Sequence, residues 1–179
     1  MTSYVALLRG VNVGGNKMVA MAELRAMLEA LGFEDAKTLL QSGNAVFRGK
    51  AATPARLETL LETETKKRFG LACDYHVRTA AELDAAIAAN PLQAEAKKDP
   101  SHLLLHFFKA PLDPAKVKAA QAAIPGPELV RCDGRHMYMF YPDGIGNSKA
   151  DVVVGKTIGV RGTARNWNTV TKLAALAGA

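Results

Sequence analysis

Two stretches of this chain gather the residue types that hold anions. LLRGVNVGGNK at 7–17 sets Arg9, Asn12, Asn16 and Lys17 among Gly10, Gly14 and Gly15. TARNWNTVTKL at 163–173 sets Arg165, Asn166 and Asn168 among threonines. Charge follows the same two ends. Through residue 22 the only charged side chains are Arg9 and Lys17, and from residue 147 onward five bases face Asp151 alone, which together account for the whole formal net charge of +6. A guanidinium grips a phosphate or carboxylate with two parallel hydrogen bonds, and the free amides at a helix start add a partial positive charge. The expectation is that head and tail of the chain close on one small anionic or nucleotide-like ligand. A third segment, Gln41-Ser42-Gly43-Asn44, adds Ser42 and Asn44 to the ligand-binding set. Each segment also has a plain structural reading: Gly14-Gly15 only turn the chain, Gly43 marks a bulge or turn, and Thr163 merely caps a helix while Arg165 meets a surface carboxylate.

Familiar nucleotide motifs are not met. The glycines at 10, 14 and 15 do not fit G-x-G-x-x-G, and Gly155-Lys156-Thr157 has Ala150 where a P-loop needs glycine. Catalytic inventory is thin as well. His102 and His106 share one face of a strand or helix without a cysteine or carboxylate at metal-ligand spacing, no serine sits in a nucleophile elbow, and no carboxylate pair stands out. No metal and no cofactor are expected, and whether the protein is an enzyme stays open. Three other readings compete: single-stranded nucleic-acid binding on a sheet surface, an enzyme with scattered acid–base groups, and a purely structural or interaction protein. The first needs exposed aromatics for base stacking, and aromatics are 6% of the chain.

These segments must be positioned by ordinary elements. An apolar run at 4–9 reads as a strand, the spacing of Met21, Leu24, Met27, Leu28 and Leu31 as a helix stopped by Gly32, and Ala45–Phe47 as a strand after a short piece at 38–40. Thr53 and Pro54 open a helix that runs to Phe69 and closes at Gly70, and a strand at 71–77 follows. The second half repeats the rhythm: helix 80–89, strand 103–109, helix 114–124, and strands 128–132 and 136–141 about an Asp133-Gly134 turn. In the tail, Ser148 and Asp151 favour a helix ending at Gly159 although Val152–Val154 prefer a strand, and a last helix is capped by Thr163. The fold class is therefore α+β, with two ferredoxin-like (βαββαβ-type) sub-domains in tandem and a small C-terminal helical segment. The break between halves is set in the exposed connection at 90–101, with the preceding helix counted in the second half. This divides the chain into 1–79, 80–146 and 147–179, the last packing back on the first.

A chain of 179 residues with 49% apolar content buries a full core without staples. Cys73 and Cys132 stand far apart, and no charged-then-apolar leader opens the chain, so a reduced, cytoplasmic protein is expected. The longest apolar runs, such as LLLHFF at 103–108, fall far short of the ~20 residues of a membrane helix, so no membrane partner is expected. The basic balance is modest for a dedicated nucleic-acid binder. The partner expected first is a small anionic ligand; the oligomeric state stays open.

LLRGVNVGGNKMVAMAELRAMLEALGF, LQSGNAVF, YPDGIGNSK and TARNWNTVTKL together resemble the bacterial domain-of-unknown-function family 1697, over nearly the whole chain from Tyr4 to Leu176. The resemblance implies an α+β fold of two related sub-domains with a small helical tail, and no assigned reaction. The family's motif positions fall here on Arg9, Gly10, Asn12, Gly14, Gly15, Gln41, Ser42, Gly43, Asn44, Tyr141, Ser148, Lys149, Thr163, Arg165, Asn166, Trp167, Asn168 and Thr169. Val152–Gly155 departs from the pattern, where charged helix formers would be expected.

Overall fold

The computed structural model describes residues 1–15 and 17–178 and shows two units, Met1–Asp84 together with the residues from Lys172 onward, and Ala85–Thr171. The first is built in the order β1 (Thr2–Leu8), α1 (Met21–Ala30), β2 (Glu34–Thr38), β3 (Asn44–Gly49), α2 (Pro54–Phe69) and β4 (Tyr75–Thr79). Its antiparallel sheet runs β2-β3-β1-β4, so β3 lies between the first two strands of the chain. Leu24, Met27 and Leu28 of α1 and Leu57 and Leu61 of α2 pack with Tyr4, Ala6, Leu8, Phe47, Tyr75 and Val77 in one core. Val5 and Leu7, on the other face of β1, are buried too, which is why the strand reads as a continuous apolar run rather than an alternation.

The local signals in this unit act as expected. Thr53 accepts the Arg56 amide at 3.3 Å, Pro54 occupies the first turn of α2, and Gly70 ends it at φ 66°. The strand after Gly70 begins only at Tyr75, and β2 covers Glu34–Thr38 rather than the short piece at 38–40.

A row of glutamates closes the outer edge of β4. The backbone amides of alternate residues Tyr75, Val77 and Thr79 donate to Glu62 Oε1, Glu58 Oε1 and Glu82 Oε2, each at 2.9 Å. Glu82 completes a capping box, its own amide donating to Thr79 Oγ1 at 3.1 Å at the start of α3 (Ala80–Ala88). Unpaired strand edges template aggregation, and here carboxylates from the adjoining helices occupy the donors. Glu58 is itself 4% exposed. Glu58→Ala strands a buried N–H and is expected to destabilise the protein by about 1–3 kcal/mol in urea denaturation, whereas Glu58→Gln keeps an acceptor and recovers most of the loss. Equal stability of the alanine and glutamine variants would remove this account of the edge.

The second unit holds the last part of α3, α4 (Gln93–Lys98), a 3₁₀ turn at Pro100–His102, β5 (Leu103–Phe107), α5 (Pro114–Ala123), β6 (Leu129–Asp133), β7 (His136–Phe140), α6 (Ala150–Ile158) and β8 (Thr163–Asn166). Its sheet runs β6-β7-β5-β8, again antiparallel, so from β5 onward it repeats the element and strand order of the first. Val117 and Ala120 of α5 and Val154 and Ile158 of α6 pack with Val130, Met137 and Met139. The hairpin between β6 and β7 turns on Gly134-Arg135, one position later than expected, with Gly134 at φ 54° and Asp133 paired with His136.

Two expectations about the tail are corrected. Residues 147–179 are not a separate helical segment: α6 covers the second sheet and β8 pairs with β5, in register from Leu104–Asn166 to Phe107–Thr163. Thr163 therefore opens a strand rather than capping a helix. The last helix, α7 (Trp167–Gly178), starts four residues later, with Asn166 Oδ1 accepting the Asn168 amide at 2.9 Å. Val152–Val154 are helical, as favoured, because Ala150, Val154 and Ile158 bury one face at helical spacing and Gly159 stops the helix at φ 69°. The division between units falls inside α3 rather than at 79/80 or in the segment 90–101, which folds as α4 and the 3₁₀ turn. Apolar spacing predicts α3 correctly but does not tell which core its faces join. Among the described residues, no helix is long and apolar enough to cross a membrane.

Candidate functional site

The expected ligand-binding residues fall in two sets. Arg9, Asn12, Lys17, Ser42 and Asn44 lie in the first unit, and Arg165, Asn166 and Asn168 in the second; Asn16 lies outside the described residues. In the first set, the loop after β1 and the turn between β2 and β3 are held together by Asn12. Its Nδ2 donates to Val19 O at 2.9 Å and to Gln41 O at 2.6 Å, and its Oδ1 accepts the Val19 amide at 2.8 Å. Asn44, fully buried, donates to Leu39 O at 2.7 Å and Ser42 Oγ at 3.0 Å, and the Leu8 amide donates to Gly43 O at 2.9 Å. These two asparagines thus brace the loops, the plain reading of both motifs.

The pinned backbone is unusual. Gly10, Asn12, Gly14, Gly15 and Lys17 in one loop, and Leu40 and Gly43 in the other, all have positive φ, and three of these are not glycine. Left-handed backbone at a non-glycine residue costs of order 1–2 kcal/mol and persists only where surrounding contacts impose it. Gly14, Gly15 and Lys17 are exposed on this loop, and Arg9 is half-buried at its start. Burial, reinforced by the charges of Glu62 and Asp74, pushes the Cys73 thiol up to about 11; Lys17 opposes this, which places its ammonium within electrostatic reach of Cys73.

Arg165, in the second unit, is 8% exposed, with Nη1 donating to Thr163 Oγ1 and Ala164 O, both at 2.8 Å. Burial lowers its pKa to about 10, so it stays charged at neutral pH. Asn166 caps α7 and donates from Nδ2 to Ser101 O at 2.7 Å, while Asn168 is exposed. The YPDGIGNSK motif is engaged likewise: the Tyr141 hydroxyl donates to Asp151, and the Ser148 hydroxyl to Glu128.

One pair escaped the sequence reading. His102 Nδ1 lies 2.8 Å from Asp99 Oδ2, both side chains about one-third exposed, and the spacing of three in Asp-Pro-Ser-His was the available signal. Among the described residues no three His, Cys, Asp or Glu side chains come together as a metal ion would need. A base-stacking surface finds little support, since every aromatic side chain in a strand (Tyr4, Phe47, Tyr75, Phe107, Tyr138 and Phe140) is buried.

A mixed α+β chain whose two four-stranded antiparallel sheets share one strand order defines a class by architecture. The chain belongs to the family described as "Protein of unknown function (DUF1697)", whose profile matches residues 1–138. Among solved structures it is similar to the conserved bacterial protein SP0830 from Streptococcus pneumoniae, at 25% identity over 98% of each chain with a TM-score of 0.73. No curated protein matches it.

Proposed function

We propose that the protein is a binding module for a small anion, seated on the loop that follows β1. The observation that carries this reading is the left-handed backbone at Gly10, Asn12, Gly14, Gly15 and Lys17, pinned by the Asn12 side chain, which sets exposed glycines between two cations. Strained backbone of this kind concentrates where a ligand is gripped, and glycine lets main-chain amides approach it closely. Arg165 is left out of the site because its guanidinium is turned onto its own strand. We read the two sheets as tandem ferredoxin-like units, supported by their shared strand order, and the protein as cytoplasmic, supported by two free cysteines.

Thermal-shift and calorimetric titration with inorganic phosphate, pyrophosphate, ATP and citrate tests the site. At a ligand concentration of 100 times Kd, binding to the folded state adds about 2.7 kcal/mol of stability. The double variant Arg9→Ala/Lys17→Ala is expected to lose that gain while keeping the unliganded melting temperature within a few degrees. Absence of binding by all four probes, or undiminished binding by the double variant, rejects the reading.

A further inference from the structure

Asn12 does more than brace a loop: it gathers three aliphatic residues at one end of the first unit. Its side-chain amide joins Val19 O at 2.9 Å to Gln41 O at 2.6 Å, and its Oδ1 accepts the Val19 amide at 2.8 Å. Val13 follows Asn12, Met18 precedes Val19 and Leu40 precedes Gln41, so each stands one residue from a member of that junction. None of the three is buried. Met18 is 67% exposed, Val13 65% and Leu40 58%, the first two being the most exposed large apolar side chains among the described residues. Single exposed aliphatics are ordinary, but several at one end of a unit mark a surface that something apolar covers.

Leu40 adds a second observation. Its backbone lies at φ +61°, a region leucine avoids, and its exposed side chain gains nothing from the core in return. Strained backbone that presents a side chain instead of burying it points to a contact outside the molecule. Charge supplies the third. The two segments that build this end, 1–22 and 36–57, contain no acid, while Lys17 and Lys37 are exposed on them and Arg9 is half-buried. Glu62 and Asp74, which share the surroundings of Cys73 with Lys17, come from α2 and the approach to β4 and are both half-buried.

We propose that this end of the first unit docks on an anionic phospholipid surface, with Val13, Met18 and Leu40 entering the apolar edge of the bilayer. The contact rests on the anion site proposed above and names its ligand as the phosphodiester of a membrane lipid. One lipid answers both halves of the tip: its phosphate meets Arg9, Lys17 and the backbone at Gly14 and Gly15, and its acyl chains take the aliphatic side chains out of water. An acidic protein would match the charge but needs a larger complementary face than three loop side chains provide. The contact is peripheral. Short apolar runs exclude a spanning helix, not a loop tip at the membrane surface.

Co-sedimentation of the full-length protein with vesicles is the test, equimolar phosphatidylglycerol and phosphatidylcholine against phosphatidylcholine alone. Partition is expected to be at least tenfold stronger on the anionic vesicles and to weaken with salt. Met18→Ser/Leu40→Gly is expected to lower it at least tenfold, and glycine suits the left-handed backbone at position 40. Val13→Trp is expected to shift its emission to the blue on anionic vesicles and to be quenched by brominated acyl chains, a readout that removes no contact. Titration of the wild type with inorganic phosphate separates the two proposals: phosphate binding without vesicle binding overturns the lipid surface alone, and binding of neither overturns both. The lipid surface is also overturned by equal partition onto the two kinds of vesicle, by undiminished partition of Met18→Ser/Leu40→Gly, by binding to poly-glutamate as tight as to anionic vesicles, or by a dimer that the same variant dissociates, which would seat a second copy on this tip.

Discussion

Gly43→Ala is expected to destabilise the protein by about 2–5 kcal/mol, the sum of left-handed strain and forced repacking. Gly43 sits at φ +80°, and an added Cβ would come within 2.6 Å of Val11 Cγ2 and 2.8 Å of Leu8 Cβ. Those neighbours cannot give way cheaply, because Leu8 ends β1 and both are at most 1% exposed. For a chain of this size the melting temperature should fall by roughly 10 °C. Gly15→Ala is the matched control: it has φ +75° but nothing within 4 Å of the added carbon, so it carries the strain without the clash. A Gly43 variant no less stable than the Gly15 variant would show that β1 and the turn between β2 and β3 are not packed as described. The same substitution shifts the strand end from which the proposed anion loop departs, so phosphate binding should weaken with stability.

Acid should weaken the protein through His106. This residue lies on β5 opposite Met137 and Ala164, and its Nε2 is buried without a hydrogen-bond partner among the described residues. Burial drives its pKa from 6.5 down to about 4, against a smaller upward pull from Asp151. Between those two values the unfolded chain holds a proton that the folded chain does not, so stability falls as pH falls; a unit or more above 6.5 neither state is protonated and the effect vanishes. Each pH unit inside the window costs at most about 1.4 kcal/mol, so the loss from pH 7.5 to 5 is about 2 kcal/mol. Urea denaturation of the wild type and His106→Leu at pH 7.5, 6.5 and 5 measures it. The leucine variant should show a flatter profile by that amount, and parallel profiles would mean that His106 is protonated in the fold.

The helices were legible because their signals are local. Thr53, Pro54 and Gly70 bound α2 whatever it packs on, and the apolar spacing of Leu24, Met27 and Leu28 locates α1. Strand limits were less so, since Tyr75 and Thr163 become strand residues only through pairing with β1 and β5. The site was legible in location and not in role. Asn12 and Asn44 were rightly singled out as special, yet a side-chain amide suits a phosphate and a backbone carbonyl equally well. Their partners at Val19, Gln41 and Leu39 depend on how a loop is threaded.

By itself the sequence determined the α+β class, the tandem repetition, the starts and stops of α1, α2, α3 and α5, and where surplus positive charge accumulates. These follow from hydrophobic spacing, capping and charge, each set by residues a few positions apart. Only the tertiary structure decided that residues 163–166 form a strand, that glutamates close the edge of β4, and that Asp99 and His102 stand together. Each of these is a hydrogen bond, ion pair or contact whose geometry is created when the chain folds back on itself.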